Sequence, residues 1–302
     1  MNTPTRQKIL LIGKDGQVGW QLRRTLAPLG DIAAFDHPHL DLADADQIRA
    51  IVAEVRPTLI VNAAAYTDVD KAETESDKAM AVNGTAPGIL AEEAKRLGAG
   101  IVHYSTDYVF DGKKQSPYSE EDEASPLNVY GKTKLAGDHA VQDSGAPYLI
   151  FRTSWVYGIR GHNFLRTLLR LFAEREEISI VDDQIGAPTW SRMIAEVTAQ
   201  CLGQAFSPST GITLQDISGL YNLTAAGETS WYGFAQSIAD QTSAKHLVPK
   251  VSRLKPIPSE DYPLPATRSK YGVLSHQKLN NTFGLIIPPW DEQLQLCLAC
   301  ME

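Results

Sequence analysis

The chain of 302 residues is long enough for one large domain or two smaller ones. Hydrophobic residues make up 43% of it, which excludes a disordered protein. The formal charge of −8 argues against nucleic acid as the main partner, although backbone amides can still bind a phosphorylated ligand. No apolar stretch approaches the length that crosses a bilayer, and Cys201, Cys297 and Cys300 suit packing in a reducing compartment, so a cytoplasmic protein without a membrane partner is predicted.

In the first half of the chain, short apolar runs alternate with stretches of helical periodicity. Strands are predicted at residues 8–13 and 31–36, at the start of residues 58–70, over residues 100–110 as a strand that runs into a loop, and at residues 147–158. Helices are predicted at residues 17–30, 45–57, 76–97 and 128–143. Strands that are apolar almost throughout, with helices between them, indicate a parallel sheet covered on both faces. With right-handed crossovers, this pattern predicts an α/β fold with a Rossmann-type doubly wound parallel sheet.

After about residue 160 the alternation is less regular, and Pro- and Gly-rich connections separate the helical patterns. Helices are predicted at residues 163–176, 191–203, 230–242 and 291–301. The Pro-rich stretch over residues 255–269 is predicted to lack regular structure. The sequence thus predicts a dinucleotide-binding domain over residues 1–160. A smaller, loop-rich α/β substrate-binding part is predicted over residues 161–302, with segments that can return to the first domain.

Three glycines stand between the first strand and the first helix, in the stretch "GKDGQVG". Gly13, Gly16 and Gly19 allow the backbone to approach a pyrophosphate, and the helix that follows supplies free amides and a positive dipole end. Asp36, at the end of the second strand, is the acid expected to hold an adenosine ribose. Together these features predict dinucleotide binding.

The charges around this unit bear on the choice between NADH and NADPH. Asp36 favours NADH because it repels a 2′-phosphate, whereas Lys14 favours NADPH because it attracts that phosphate. Use of both cofactors is therefore predicted. Asp41 lies either within reach of the adenine or in a loop ahead of the next helix, and the sequence leaves both readings open.

Tyr130 and Lys134 stand four residues apart in a predicted helix, so they share one of its faces. Simple packing is one reading of this pair. The other is chemical, because a cation beside a phenol makes the tyrosine a usable acid near neutral pH. Thr106 and Asp107 end the fourth strand, at the sheet edge where doubly wound folds bind ligands. A hydroxyl, a phenol and an ammonium are the groups that reduction of a carbonyl requires.

Several long motifs carry a resemblance to a known family. They are "GKDGQVGWQL", "NAAAYTDVDKAE", "STDYVFDG", "PLNVYGKTKLAGD", "RTSWVYG" and "DDQIGAPT" within residues 13–189, and "SGLYNLTAAGETSWYGFA" up to about residue 235. In this order they resemble the extended short-chain dehydrogenase/reductases, which act largely on nucleotide sugars. More narrowly, the chain resembles the dTDP-4-dehydrorhamnose reductases.

The resemblance implies that NADPH or NADH reduces the 4-keto group of a dTDP-4-keto-6-deoxysugar, dTDP-4-dehydro-β-L-rhamnose, to give dTDP-β-L-rhamnose. It implies that Tyr130 donates the proton, Lys134 tunes Tyr130 and binds the nicotinamide ribose, and Thr106 bonds the reacting oxygen. The residues implied to face the sugar nucleotide are Thr106, Asp107, Trp155 and Arg268. Those implied to contact the cofactor are Gly13, Gly16, Gln17, Val18, Gly19, Asp36, Asp41, Leu42, Ala65, Tyr66, Thr67, Tyr104, Tyr130 and Lys134.

Departures from the family pattern leave alternatives open. Near Arg268 the family has an R-P-x-x-S-x-L-like run, but Ser269 replaces the proline here and Gly272 the serine. A reductase or epimerase for another nucleotide sugar is therefore an alternative. Tyr108 stands where related 4,6-dehydratases have a glutamate, which argues against elimination of water.

The resemblance also bears on partners. Family members often form homodimers, in some cases with a metal ion held by glutamates at the interface, and a homodimer is expected here. Gln21 stands where such a glutamate would be, so Mg²⁺ has weak support and no metal ligands are predicted. Some animal relatives serve as regulatory subunits of methionine adenosyltransferase. The intact Thr106, Tyr130 and Lys134 speak against that role.

Overall fold

The structure is a computed structural model that describes residues 6–244 and 253–301, so the predicted domain ranges extend past it at residues 1–5, 245–252 and 302. In chain order, its strands are β1 (Gln7–Ile12), β2 (Gly30–Phe35), β3 (Leu59–Asn62), β4 (Gly100–Thr106), β5 (Tyr148–Thr153), β6 (Val156–Tyr157), β7 (Glu177–Val181), β8 (Ile185–Gly186), β9 (Thr189–Trp190), β10 (Gly219–Asn222), β11 (Thr229–Ser230) and β12 (Arg253–Ile257).

The α-helices among the described residues are α1 (Gln17–Thr25), α2 (Ala45–Val55), α3 (Val69–Ala72), α4 (Ser76–Met80), α5 (Ala86–Leu97), α6 (Val129–Asp143), α7 (Phe164–Glu174), α8 (Ser191–Phe206), α9 (Trp231–Ala244), α10 (Gln277–Phe283) and α11 (Trp290–Ala299). A π-helical turn, Ala81–Thr85, joins α4 to α5, and short 3₁₀ turns lie at Asp107–Val109 and Ser259–Asp261. No helix within residues 6–244 and 253–301 has both the length and the apolar character needed to span a membrane.

The central sheet has six parallel strands in the order β10-β5-β4-β3-β1-β2, which confirms the predicted doubly wound fold. From β1 the chain first adds β2 on one side and then β3, β4 and β5 on the other. The strand order therefore reverses between β1 and β3. Ligands of such sheets bind at this reversal, beyond the carboxyl ends of the strands.

Alternating side chains of the buried strands supply two separate cores, one on each face of the sheet. Ile9 and Leu11 of β1 join a cluster with Leu22 of α1 and Ile194 of α8. Leu10 and Ile12 join a second cluster that includes residues of α2, α5 and α6. These cores fix the position of α1 and α6, the two helices whose first residues reach the ligand edge.

A third cluster packs residues of α7, α9 and α11 around Trp190 and forms the core of the later part of the chain. The later part also returns to the sheet, because β10 pairs with β5 and α8 packs against α1. The domain boundary at residue 160 stays a prediction. Cys201 and Cys297 are packed in cores as expected, but Cys300 is exposed.

Several predicted elements needed correction. Residues 255–257 of the Pro-rich stretch belong to β12, which pairs with β7; a proline is tolerated there because the pair forms a two-stranded sheet with open edges. The fifth strand was predicted to run to residue 158, but β5 ends at Thr153 and the separate strand β6 follows it. β10 and α10 were missed because each is short.

Candidate active site

The glycine-rich turn lies at the carboxyl end of β1, and close backbone packing explains two of its glycines. Gly13 has a φ of +84°, and a Cβ there would come within 2.7 Å of the Ala64 nitrogen. A Cβ on Gly19 would lie 1.9 Å from the Gly13 carbonyl oxygen, because α1 packs directly on the turn. Only glycine fits at either position. The turn thus presents bare backbone next to the start of α1.

The first turn of α1 is suited to an anion. Gly16 is its N-cap and supplies no side-chain acceptor, and the first turn contains no acidic residue. Its free N–H groups and dipole end favour negative charge, as the diphosphate of a dinucleotide requires. Gln17 accepts a hydrogen bond from Asn163 Nδ2 at 2.9 Å, which ties α1 to the loop before α7. Val18 packs against the first core. The residues present therefore fit a dinucleotide.

Asp36 follows β2 beside this turn, where the ribose-holding acid was predicted. Its carboxylate accepts the N–H groups of Asp15, at 2.8 Å, and of His37, at 2.9 Å. Lys14, proposed to attract a 2′-phosphate, is paired with the Asp15 carboxylate. The pairing neutralises Lys14, so the structure weakens the argument for NADPH that rests on this residue.

Asp41 and Leu42 lie in the loop after β2. Asp41 Oδ1 accepts the Ala43 N–H at 2.9 Å, and Asp44 rather than Asp41 is the N-cap of α2. Leu42 is buried in the second core, so its side chain is turned towards α2 and not towards solvent. These contacts favour the loop reading of Asp41, and its contact with adenine stays a prediction.

The predicted cofactor residues Ala65, Tyr66 and Thr67 follow β3, and a buried asparagine holds them. Asn83, in the π-helical turn, accepts the Tyr66 N–H at 2.9 Å and donates to the Tyr66 carbonyl at 3.0 Å. It also donates to Thr133 Oγ1 of α6 at 3.2 Å. Sequence reasoning missed Asn83. Its signal was an asparagine inside a long helical pattern, where this residue is unfavourable.

Helix α6 brings Tyr130 and Lys134 to the end of β4. Asn128 caps it by accepting the Gly131 N–H at 2.8 Å, and Glu73 accepts the Val129 N–H at 2.9 Å. A Cβ on Gly131 would lie 2.2 Å from the Tyr108 carbonyl oxygen. The glycine between the phenol and the ammonium is therefore what allows the helix to approach the strand end closely.

Tyr130 lies against Thr106 and Tyr108. Burial raises the pKa of the Tyr130 phenol, and a hydrogen bond with the Thr106 hydroxyl opposes that rise. The Tyr108 ring packs edge-on against the Tyr130 ring, with centroids 5.5 Å apart. A phenol that keeps its proton is in the state that a proton donor needs.

Asp107 sits beside Thr106 and is only 5% exposed. Burial raises the pKa of its carboxyl to about 7, while hydrogen bonds with Ser154 and Thr106 oppose the rise. The Thr106 hydroxyl donates to Asp107 Oδ1 at 3.2 Å. This hydrogen bond holds the two groups side by side where the sugar was predicted to bind.

Lys134 is 1% exposed, and burial lowers the pKa of its ammonium to about 8, with Asp138 opposing the shift. Nζ donates to the Tyr104 carbonyl at 2.6 Å and lies 3.2 Å from His103 Nε2. The Tyr104 hydroxyl pairs with Thr198 on α8 instead, so Tyr104 contributes to the site through its carbonyl group.

Three of the four residues predicted to face the sugar nucleotide lie around one pocket, and their contact with the sugar stays a prediction. Asp107, Trp155 and Arg268 line one small pocket, along with Tyr108 and Gly272. A Cβ on Gly272 would lie 2.6 Å from Asp107 Oδ2, so the serine of the family pattern would crowd this carboxyl. The departure at residue 272 thus lies inside the pocket.

Arg268, which is implied to face the sugar nucleotide, has its charge paired with an acid of this chain. Asp70 lies just after the loop over residues 65–67. Its Oδ1 accepts from Arg268 Nη1 at 3.0 Å, and its Oδ2 accepts from Nη2 at 2.8 Å. The guanidinium also lies 6.0 Å from the centre of the Tyr108 ring. Arg268 therefore ties the pocket wall to the loop after β3, and its charge is already paired.

Trp155 is half-buried and has a φ of +46°, a conformation that is rare for a bulky residue and concentrates at functional sites. Its ring stacks on Trp231 of α9 with centroids 3.6 Å apart and planes at 7°. This packing on α9 holds Trp155 in its strained conformation. Because Trp155 lies in the pocket wall, it is not simply a core tryptophan.

Within residues 6–244 and 253–301, no group of three or more His, Cys, Asp and Glu side chains is arranged to hold a metal ion. Gln21 is buried in α1. The structure gives Mg²⁺ no support.

The close approach of α6 gives a first prediction. Gly131→Ala should push the helix off the strand end, lowering kcat by about 10- to 100-fold and stability by about 1–3 kcal/mol. Gly203→Ala in α8 is the matched control, because the nearest atom to its Cβ is 4.0 Å away. The control should keep full activity. Steady-state kinetics and thermal unfolding of both variants test this; equal activities would contradict it.

Comparisons with known proteins agree with this geometry. The profile of the family described as "RmlD substrate binding domain" matches residues 7–302. A dTDP-4-dehydrorhamnose reductase of Burkholderia thailandensis is 48% identical over 293 residues, covering 96% of this chain and 98% of the relative. The protein of that name in Escherichia coli K12 is 43% identical over 286 residues, covering 93% and 94%.

Solved structures are similar over the same length. The crystal structure of a dTDP-4-dehydrorhamnose reductase from Bacillus anthracis, in complex with NADP, is 35% identical with a TM-score of 0.87, covering 98% of this chain and 99% of that one. An orthologue from Clostridium acetobutylicum is 34% identical, also with a TM-score of 0.87.

Proposed function

Because the chain belongs to the RmlD substrate-binding-domain family, together with proteins named dTDP-4-dehydrorhamnose reductase, we propose that it is the NAD(P)H-dependent reductase of dTDP-4-dehydro-β-L-rhamnose. The product is dTDP-β-L-rhamnose. The observation that carries the proposal is the placing of Tyr130 and Thr106 together at the carboxyl end of β4, beside the pocket.

The cofactor, when bound, supplies the hydride that adds to the sugar carbon. Gly13 and Gly19 leave room for its diphosphate, and the free N–H groups at the start of α1 bind the negative charge. Asp36 takes the adenosine ribose with the lone pairs of its carboxylate that the two backbone donors leave free. Asn83 fixes the loop over residues 65–67 against α6, so the cofactor side and Tyr130 keep one geometry.

Tyr130 gives its proton to the oxygen that becomes an alkoxide as the hydride arrives. The Thr106 hydroxyl bonds the same oxygen and holds it at the phenol. Lys134 stabilises the phenolate that remains, and its lowered pKa of about 8 makes it a proton source near neutral pH. Trp155 offers its ring to the apolar face of the deoxysugar, and Asp107 takes a sugar hydroxyl.

A reductase for another nucleotide sugar is the second candidate, and one observation favours it. Asp107 Oδ2 occupies the space that the side chain of the family's serine would need, 2.6 Å from a Cβ at residue 272. The pocket wall therefore differs from the family pattern beside the carboxyl that is proposed to take a sugar hydroxyl, and a different sugar would suit it. We give less weight to a regulatory subunit without catalysis, since Thr106, Tyr130 and Lys134 are intact.

A homodimer is proposed with the reductase and is checked by light scattering.

Assays of several sugars separate these candidates. dTDP-4-dehydro-L-rhamnose and keto-sugars on UDP and GDP are each supplied with NADPH, and the loss of nicotinamide absorbance is followed. The proposal predicts oxidation with the dTDP sugar at the highest kcat/KM. A higher value with another sugar would move the assignment to the second candidate.

Cofactor choice gives a further prediction at Asp36. Asp36→Ser removes the charge that repels a 2′-phosphate, so the ratio of kcat/KM for NADPH to that for NADH should rise about tenfold or more. Asp46→Ser is the matched control, because it removes an exposed acid in the first turn of α2. Initial rates with both cofactors measure the ratio; an unchanged ratio in Asp36→Ser would show that this carboxylate does not select the cofactor.

A further inference from the structure

Lys134 is held by two buried side chains that the proposed reaction does not use. His103 of β4 is 1% exposed, and its Nε2 lies 3.2 Å from Lys134 Nζ. The other ring nitrogen, Nδ1, lies 3.3 Å from Asn62 Nδ2 at the end of β3. Asn62 is likewise 1% exposed. A chain of polar groups therefore runs from Lys134 into the sheet, away from solvent.

The amide of Asn62 decides which nitrogen of His103 carries the hydrogen. Asn62 Oδ1 accepts the Ala64 N–H at 3.3 Å, which turns its NH₂ group towards the imidazole. An NH₂ group only donates, so Nδ1 of His103 must accept. Burial and the nearby Lys134 lower the pKa of His103 well below its usual value, so the ring is neutral and has one N–H. That N–H must be on Nε2, the atom that faces Lys134.

The ammonium and the neutral amine of Lys134 differ in whether they can accept a hydrogen bond from this N–H. An ammonium has three donors and no acceptor, so it cannot accept from His103 Nε2–H. The neutral amine has a lone pair and can. In either state Nζ can donate to the Tyr104 carbonyl, 2.6 Å away. The hydrogen bond with His103 is therefore complete only after Lys134 has lost a proton.

We propose that His103, held by Asn62 as the Nε2–H tautomer, is a positioning residue that makes Lys134 ready to release a proton at neutral pH. The inference rests on the proposed function. After Tyr130 gives its proton to the sugar oxygen, an N–H bond of Lys134 breaks, Nζ keeps the electron pair, and the proton restores the Tyr130 phenol. The lone pair on Nζ then accepts His103 Nε2–H, which stabilises the neutral amine.

Apart from the carboxylate that Asn62→Asp introduces, the charged groups around Lys134 are the same in every variant compared below. Asp138, one turn further along α6, raises the pKa of Lys134. It is paired with Arg152 of β5 at 3.3 Å and accepts the Ser105 hydroxyl at 2.9 Å. Tyr130 precedes Lys134 by one turn on the same helix. Asp107, at the end of β4, raises the pKa of Tyr130.

Asn62→Asp tests the proposal with nearly unchanged volume. A carboxylate accepts where the NH₂ group donated, so the hydrogen of His103 moves to Nδ1 and Nε2 becomes an acceptor for the ammonium. The alkaline limb of the pH profile of kcat/KM should then move up by on the order of one pH unit. His103→Gln should move it in the same direction, because its amide oxygen can face Nζ.

His276→Gln is the matched control. His276 is a half-buried histidine whose Nε2 lies 2.7 Å from Thr224 Oγ1, so its hydrogen-bond partner is not Lys134, His103 or Asn62. Its substitution should leave the alkaline limb in place. A limb that stays in place in His103→Gln would overturn the proposal, because a shift in Asn62→Asp alone would follow from the charge of the new carboxylate.

The tautomer can be read without any variant. ¹⁵N NMR of histidine-labelled wild-type protein should show His103 neutral with its hydrogen on Nε2; a hydrogen on Nδ1 would overturn the proposal. This measurement needs no substrate, so it tests the inference about His103 separately from the proposed reductase function. The Nε2–H tautomer in a protein without keto-sugar reductase activity would count against the proposed function while supporting the arrangement of the cluster.

Discussion

Tyr130→Phe is expected to lower kcat by about 10²- to 10⁴-fold, the usual contribution of a positioned acid. The variant loses only the hydroxyl, because the phenylalanine ring keeps the edge-on packing on Tyr108, where the centroids are 5.5 Å apart. Cofactor affinity should change little, since the glycine turn and Asp36 are far along the sheet edge from this hydroxyl. Stopped-flow kinetics with fluorescence titration of NADPH measure both quantities.

Tyr148→Phe is the matched control for this substitution. Tyr148 pairs with Ile101 at the opposite end of β4 and β5 from Thr106, so its hydroxyl is remote from the site. This variant should keep wild-type turnover. If Tyr130→Phe also kept it, Tyr130 could not be the proton donor, and the proposed chemistry would fail while the fold and family stood.

Lys134→Met should reduce activity and increase stability, because the ammonium is proposed to serve the reaction and its burial is a cost to folding. We expect kcat to fall by about 10²-fold or more once the phenolate loses its cation. Burial lowers the pKa of the ammonium from 10.5 to about 8, so the folded protein holds this proton less tightly than the unfolded chain does. Replacing it should raise the free energy of unfolding at pH 7 by at most about 3 kcal/mol.

The lowered pKa of Lys134 makes the stability of the wild-type protein depend on pH. Below about pH 8 the ammonium is present in both states and its cost is complete; between pH 8 and 10.5 only the unfolded chain still binds the proton, and the cost disappears. The stability difference between Lys134→Met and wild type should therefore shrink across that window. Denaturant unfolding at pH 7, 9 and 10.5 measures it.

Lys132→Met controls for the loss of a positive charge on the same helix. Lys132 is exposed, two residues before Lys134, so its replacement should change neither turnover nor the pH dependence of stability by much. A Lys134→Met variant that was less stable than wild type at pH 7 would contradict the account of a buried, desolvated ammonium.

Much of the fold was predictable because apolar runs and helical periodicity are local signals. The strand at residues 8–13 and the helix at 45–57 were found within two residues of their observed ends. β10 was missed because its four residues owe their place in the sheet to pairing with β5, a contact that no local pattern encodes. The same holds for residues 255–257, which pair with β7.

The residues of the candidate site also fall into those that local spacing predicts and those that only the fold brings together. Glycines at a strand-to-helix turn and a Tyr–Lys pair at helical spacing can be found from spacing, although the pair by itself left simple packing as an alternative. Arg268 does not, since its pairing with Asp70 joins residues 198 positions apart. His103 was hidden inside a strand, where only the fold could show that it faces Lys134. Tyr108 was noted for what it excluded, whereas the structure places its ring against Tyr130.

The most direct test of the central claim follows the hydride itself. dTDP-4-dehydro-L-rhamnose is incubated with the protein and NADPH carrying deuterium at the transferred position of the nicotinamide, and the product is examined by NMR. The account predicts dTDP-L-rhamnose with deuterium on C4 of the sugar, formed at the rate at which nicotinamide absorbance is lost. Unchanged keto-sugar, or deuterium at another carbon, would contradict it.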